Sequence, residues 1–129
     1  MAMKTILHIT SREAWQAAMA VGEYRADTLQ SDGFMHCSTA AQVLKVADQF
    51  YRGQKNLMLL CIDRKALNAM LKYEPPVHPG SRDPSPTDTV DLYPHVYGAL
   101  NLDAVVMAVE FPPKPDGKFD LPKVLEEIL

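Results

Sequence analysis

The sequence predicts a single mixed domain of helices and strands, α/β or α+β, and three observations carry that expectation. Strand-like apolar runs alternate with segments whose apolar residues recur at helical spacing, giving the order β-α-β-α-β-α-β-loop-β with a terminal helix. One run, "NLMLLCID", is apolar almost throughout at strand length, as a central strand buried on both faces would be. The chain of 129 residues suits one core rather than two. The expected domain therefore spans 1–129, with its core over about 4–110 and a flexible connector plus C-terminal helix over 111–129. Strict alternation also suggests a doubly wound parallel sheet. No glycine-rich turn follows the first strand, however, so the nucleotide-binding fingerprint of that fold is missing.

Each element has its own local signal. "KTILHIT" (4–10) is rich in β-formers and reads as the first strand. Thr10 and Glu13 have capping-box spacing and open a helix that sets Ala14, Trp15, Ala18 and Met19 on one stripe, with Gly22 as its stop. "EYRADTLQS" is expected as loop with a short extended piece, and "GFMH" as the second strand. Thr39 and Gln42 repeat the capping-box spacing before a helix over 40–52, which Gly53 ends. After the central strand, Asp63 caps a short helix, "RKALNAMLK", and the prolines of "YEPP" end the regular structure. Residues 75–91 form a long surface loop holding His78, which is expected to be solvated. A turn at Gly98 and a strand over Ala104–Phe111 follow. Asp120 then caps the terminal helix, whose leucines dock on the body or on a second copy.

Composition removes several classes of function. Hydrophobic residues are 47% and charged ones 22%, a balance that fits an ordinary globular domain. A net charge of −3 supplies no basic footprint, so a nucleic-acid partner is not expected. No apolar stretch reaches the ~20 residues of a membrane helix, and the N-terminal apolar run is too short for a signal peptide. The expected location is cytoplasmic, where Cys37 and Cys61, which lack CxxC spacing, are buried reduced thiols.

The residues that point to chemistry are histidines in strand-like settings. His8 precedes Thr10, His36 precedes Ser38 and Thr39, and His95 lies between Tyr93 and Tyr97. Apolar neighbours push such imidazoles toward neutrality, where each is at once donor and acceptor, suited to ribose hydroxyls, amides or phosphates. The set points to convergence of at least two of the three in one cleft. Thr39 has a capping job, whereas Ser38 is left free beside a helix N-terminus. Glu74 by default is a surface carboxylate; facing the cleft, it would stabilise a cationic transition state or activate a nucleophile. Asp32 belongs to an Asp-Gly turn and could also orient His36. A zinc site built from the three histidines lacks HxH or HExxH spacing. A Cys37 nucleophile needs a base in reach, and His36 points to the opposite strand face, so the adjacent pair is not itself a dyad.

The combination "LHIT…W…GEY…DGFMHCSTA", "LLCIDRKAL", "YE" and "LYPHVYGALNLDAV" resembles the domain-of-unknown-function family 952, over residues 4–109. That resemblance implies an α+β body similar to the ADP-ribosyltransferase fold, with a split, strongly bent β-sheet, flanking helices and an NAD-sized cleft. It implies a small nucleotide-like ligand, with NAD as substrate, and transfer of an ADP-ribosyl or related group. His8 matches the first-strand residue that holds the nicotinamide-side ribose, with Thr10 beside it. "GFMHCST", with Ser38 and Thr39, looks like the second element, and Glu74 matches the late carboxylate. The Glu-x-Glu of some members is absent. The expected roles are Glu74 and His36 as catalytic groups, and His8, Thr10, Ser38, Thr39, His95 and Tyr97 as ligand contacts. Two alternatives remain: a non-catalytic binding module on the same cleft, and a histidine-based metal-dependent hydrolase.

Overall fold

The computed structural model describes residues 5–76 and 92–127. His78 and the rest of the proline-rich segment 77–91 lie outside the described residues. The elements are β1 (Thr5–Ser11), α1 (Arg12–Val21), β2 (Glu23–Tyr24), α2 (Asp27–Ser31), β3 (Met35–His36), α3 (Val43–Phe50), β4 (Leu57–Asp63), β5 (Met70–Glu74), β6 (Tyr93–Tyr97), β7 (Leu100–Asn101) and β8 (Val105–Glu110). Short 3₁₀ turns occupy Arg64–Ala66, Leu102–Ala104 and Lys123–Glu127. No helix among the described residues is long and apolar enough to cross a membrane.

The strands form an α+β arrangement of antiparallel sheets. One three-stranded sheet has the order β1-β4-β8, a second has the order β3-β6-β5, and β2 pairs with β7. Every strand pair is antiparallel, which replaces the parallel sheet that alternation suggests. Just past β3, Ser38 exchanges both backbone hydrogen bonds with Leu7 of β1, at 2.7 and 2.8 Å. Among the described residues this isolated bridge joins the β1 edge of one three-stranded sheet to the β3 edge of the other.

The apolar run of β4 is central, as its sequence predicts, and the pleat explains its continuity. Met58, Leu60 and Ile62 face one cluster with Ile6, Trp15, Tyr24, Met35, Val96 and Leu100. Leu57, Leu59 and Cys61 face another with Leu7, Ile9, Val43, Ala47 and Phe111. Alternate side chains point to opposite faces, so a strand covered on both sides needs apolar residues throughout. The C-terminal segment completes the second cluster: Phe119 and Leu125 are buried, and Phe119 stacks on Phe111 at 4.8 Å. The terminal leucine contact is thus with the body of the same chain.

Several local expectations are corrected. The cap of α1 is Ser11, whose hydroxyl accepts from Ala14 N–H at 3.0 Å; Thr10 stays in β1. Trp15 and Ala18 are buried but Met19 is exposed, so the apolar stripe is narrower than its pattern. Gly22 does end the helix, at φ 103°, a left-handed conformation that glycine adopts without penalty. Residues 27–31 are helical rather than loop. The helix expected over 40–52 is Val43–Phe50, and no side chain caps it. Only half of the second capping box forms, with the Gln42 amide oxygen accepting from Thr39 N–H at 3.0 Å. Asp63 caps a single 3₁₀ turn by accepting from Lys65 N–H, and the end of that expected helix, from Met70, lies in β5, paired with β6.

Candidate functional site

The second sheet has one face toward the core and one away from it. Met35 and Val96 are fully buried in the core cluster and stand opposite each other across the β3–β6 pair. Their neighbours His36 and His95 are also directly opposite, and therefore share the other face. On β6, Tyr97 lies on that same face at i+2 from His95, and β5 adds Lys72 opposite His95 and Glu74 opposite Tyr93. Period-two alternation thus gathers polar residues of three strands into one constellation.

Two carboxylate–imidazole pairs face each other there. Asp32, buried just past the C-terminal end of α2, holds His36 Nε2 at 2.8 Å. Glu74 Oε1 lies 2.8 Å from His95 Nδ1 and accepts a 2.5 Å hydrogen bond from the Tyr97 hydroxyl. The two imidazole centroids are 5.6 Å apart, and Phe34 stacks on His95 at 4.0 Å. The Asp32-Gly33 turn has the expected geometry, with Gly33 at φ 87°. It also delivers the carboxylate that orients His36.

Charge in the pair is set by burial and by these contacts. Burial lowers the His95 pKa, outweighing the Glu74 hydrogen bond, and the nearby His36 acts in the same direction. Burial alone would raise Glu74. Hydrogen bonds from Tyr97 and His95, with the charge of Lys72, outweigh it and hold the carboxyl below its usual range. The Tyr97 phenol is pushed up to about 12 by its bond to that carboxylate. Glu74 is therefore an ionised acceptor at neutral pH, and its side chain is still 32% exposed.

His8 stands on the far side of the β3 backbone. Its Nδ1 is 2.7 Å from the His36 carbonyl oxygen, an acceptor only, so Nδ1 carries the proton. Nε2 lies 2.8 Å from the Tyr24 hydroxyl, which in turn lies 2.8 Å from Thr10 Oγ1. Burial, outweighing the opposing hydrogen bond to the His36 carbonyl, lowers the His8 pKa to about 4. His8 and Thr10 thus form a buried triad with Tyr24 that holds the His36 main chain. Ser38 contributes the backbone bridge to Leu7, and Thr39 gives its N–H to Gln42. No contact joins either hydroxyl to the imidazole pair among the described residues.

Cys37 is buried 3.9 Å from His8 Nδ1, and burial pushes its thiol up to about 12, the state of an inert core cysteine. Among the described residues no three His, Cys, Asp or Glu side chains are grouped to hold a metal ion. Sequence reasoning omitted Phe34, Lys72 and Tyr24. Phe34 and Lys72 precede His36 and Glu74 by two residues, so strand periodicity alone could have added them. Tyr24 carries no such signal, because its place beside His8 depends on tertiary packing.

Comparison with protein families matches residues 9–108 to DUF952, a protein family of unknown function. Comparison with curated proteins gives no match. Among solved structures, the crystal structure of CC0527 from Caulobacter crescentus is similar, with 28% identity, TM-score 0.75 and 96% of each chain covered. The solution NMR structure of CC0527 gives 30% identity and TM-score 0.71 over 97% of each chain. A double-mutant crystal structure of the same protein gives 27% identity and TM-score 0.75.

Proposed function

We propose, for a chain that belongs to the DUF952 family, that the outer face of β3-β6-β5 binds a nucleotide-like ligand and transfers a group from it. NAD is the proposed substrate. The observation that carries this reading is the facing arrangement of the Asp32–His36 and Glu74–His95 pairs, with Tyr97 fixed on Glu74. An ionised carboxylate at an exposed edge is placed to stabilise positive charge developing on a ribose carbon. The carbon–nitrogen glycosidic bond breaks, and nicotinamide leaves with the bonding pair. An acceptor hydroxyl forms the new carbon–oxygen bond, and its proton passes to His36, oriented by Asp32. Two antiparallel sheets, joined among the described residues by one bridge, support kinship with the split sheet of ADP-ribosyltransferases.

His8 and Thr10 enter this reading as positioning residues behind β3, and His95 and Tyr97 fix the carboxylate. A non-catalytic binding module is the second reading. It is favoured by the Ser38 and Thr39 hydroxyls, which among the described residues contact neither imidazole. Incubation of the protein with labelled NAD and lysate acceptors separates the two. Transfer predicts release of nicotinamide by the natural sequence and a loss of about 100-fold or more in Glu74→Gln. Intact NAD, or equal rates for both proteins, would contradict it.

A further inference from the structure

We infer that Lys72 is the phosphate contact of this face: a ligand whose ribose lies against Glu74 sets its phosphate on the Lys72 ammonium. This rests on the nucleotide-like ligand proposed above, and it adds the residue that recognises the ligand's phosphate.

Register places Lys72 beside the carboxylate. It stands directly opposite His95 in the β5–β6 pair, and residues so paired share a face of the sheet. Glu74 follows at i+2 on the same strand and the same face, with the two Cα atoms about 7 Å apart. A ribose 5′-phosphate has a comparable span from its anomeric carbon to its phosphorus, so both ends of that unit find a partner along one strand. The Glu74 side chain is 32% exposed and Lys72 is exposed, so a ligand reaches both from solvent. It needs no contact with the buried His95 ring, which supports Glu74 from within the protein.

The ammonium is available for this contact. Its Nζ lies 5.0 Å from the Tyr97 ring centroid, a cation–π contact that keeps it over the outer face. Among the described residues it forms no salt bridge. At an exposed site the ring contact is weaker than a charge-assisted hydrogen bond to phosphate, so the ammonium exchanges one for the other. Glu74 calls for such a cation, because an ionised carboxylate repels the phosphate that accompanies a ribose. Arg64 does not supply it. Its Nη1 donates to the Tyr73 hydroxyl, and Tyr73 points to the opposite face of β5 from Lys72.

The test titrates the full-length protein with ADP-ribose, and separately with inorganic phosphate, at low and at raised salt. Lys72→Met is compared with the natural sequence and with Lys65→Met, which removes the same charge from the exposed turn ahead of β5. The natural sequence is expected to bind ADP-ribose more weakly as salt rises. Lys72→Met weakens ADP-ribose about tenfold at low salt, the order of one charge-assisted hydrogen bond, and flattens the salt dependence. Lys65→Met changes neither. Equal affinity in Lys72→Met, an equal loss in Lys65→Met, an unchanged salt dependence, or no binding of ADP-ribose would each overturn the inference. Inorganic phosphate binding as tightly as ADP-ribose would overturn it too, as the mark of a general anion site. Failure of the transfer reading alone has a different signature. NAD stays intact while Lys72→Met still weakens ADP-ribose and Lys65→Met does not.

Discussion

His8 and His36 illustrate how far one residue type can diverge within a single fold. His8 spends both ring nitrogens on the protein and lies buried; His36 spends one on Asp32 and keeps part of its ring at the surface. The buried ring has a measurable consequence. Its folded pKa, about 4, lies below the unfolded value of ~6.5. Between those values the unfolded chain binds the extra proton, so the contribution of neutral His8 is full above ~6.5 and is lost as pH falls toward 4. From pH 7.5 to 4.5 the expected loss is about 2.5 kcal/mol. Urea denaturation at the two pH values should show it, with a clearly smaller acid-induced loss in His8→Gln. An equal loss in both proteins would mean that His8 does not carry the effect. The sequence made the histidines visible as a set, together with Glu74. It did not reveal which of them turns outward. That partition depends on β3 pairing with β6 in the one register that places His36 opposite His95. The pairing joins segments almost sixty positions apart, beyond the reach of local pattern.

At the scale of elements, the start of α1 is legible to within a residue and that of α3 only to within about three, and the hydroxyl that performs the cap is a matter of backbone geometry. Thr10 and Ser11 both satisfy the residue preference for a cap. Thr10 is pinned in β1 by its pairing with Met58, and its hydroxyl is committed to Tyr24. Ser11, at φ −79° and ψ 156°, has the extended backbone of a cap and accepts from Ala14 N–H. Ser11→Ala should therefore cost about 1 kcal/mol in urea denaturation. A loss near zero would show that water replaces the hydroxyl fully. The segment after Asp63 shows the converse limit. Its helix formers end after one 3₁₀ turn because Met70–Glu74 gains a ladder along β6. Tertiary pairing overrides intrinsic propensity there. The same override carries Glu74 from the expected end of the regular structure before the prolines to the site.

At the scale of the whole molecule, the continuous apolar run of β4 reports burial on both faces and says nothing about strand direction. Parallel sheets usually supply that signal because helices cover both sides. Here α1 and the second sheet cover one face of β1-β4-β8, while α3 and the C-terminal segment cover the other. An antiparallel sheet under the same cover acquires the same composition. Using one face of β3-β6-β5 for the core leaves the other for Asp32, His36, Glu74, His95 and Tyr97, and this division is the basis of the functional account. Its central claim is that a nucleotide-like ligand docks on that outer face. Chemical-shift mapping with ADP-ribose tests it most directly. The account predicts that the signals of His36, Glu74, His95 and Tyr97 move together in a saturable way, while those of α3 and the Phe119 segment stay in place. Saturable shifts confined to another surface, or no shifts at millimolar ADP-ribose, would contradict it.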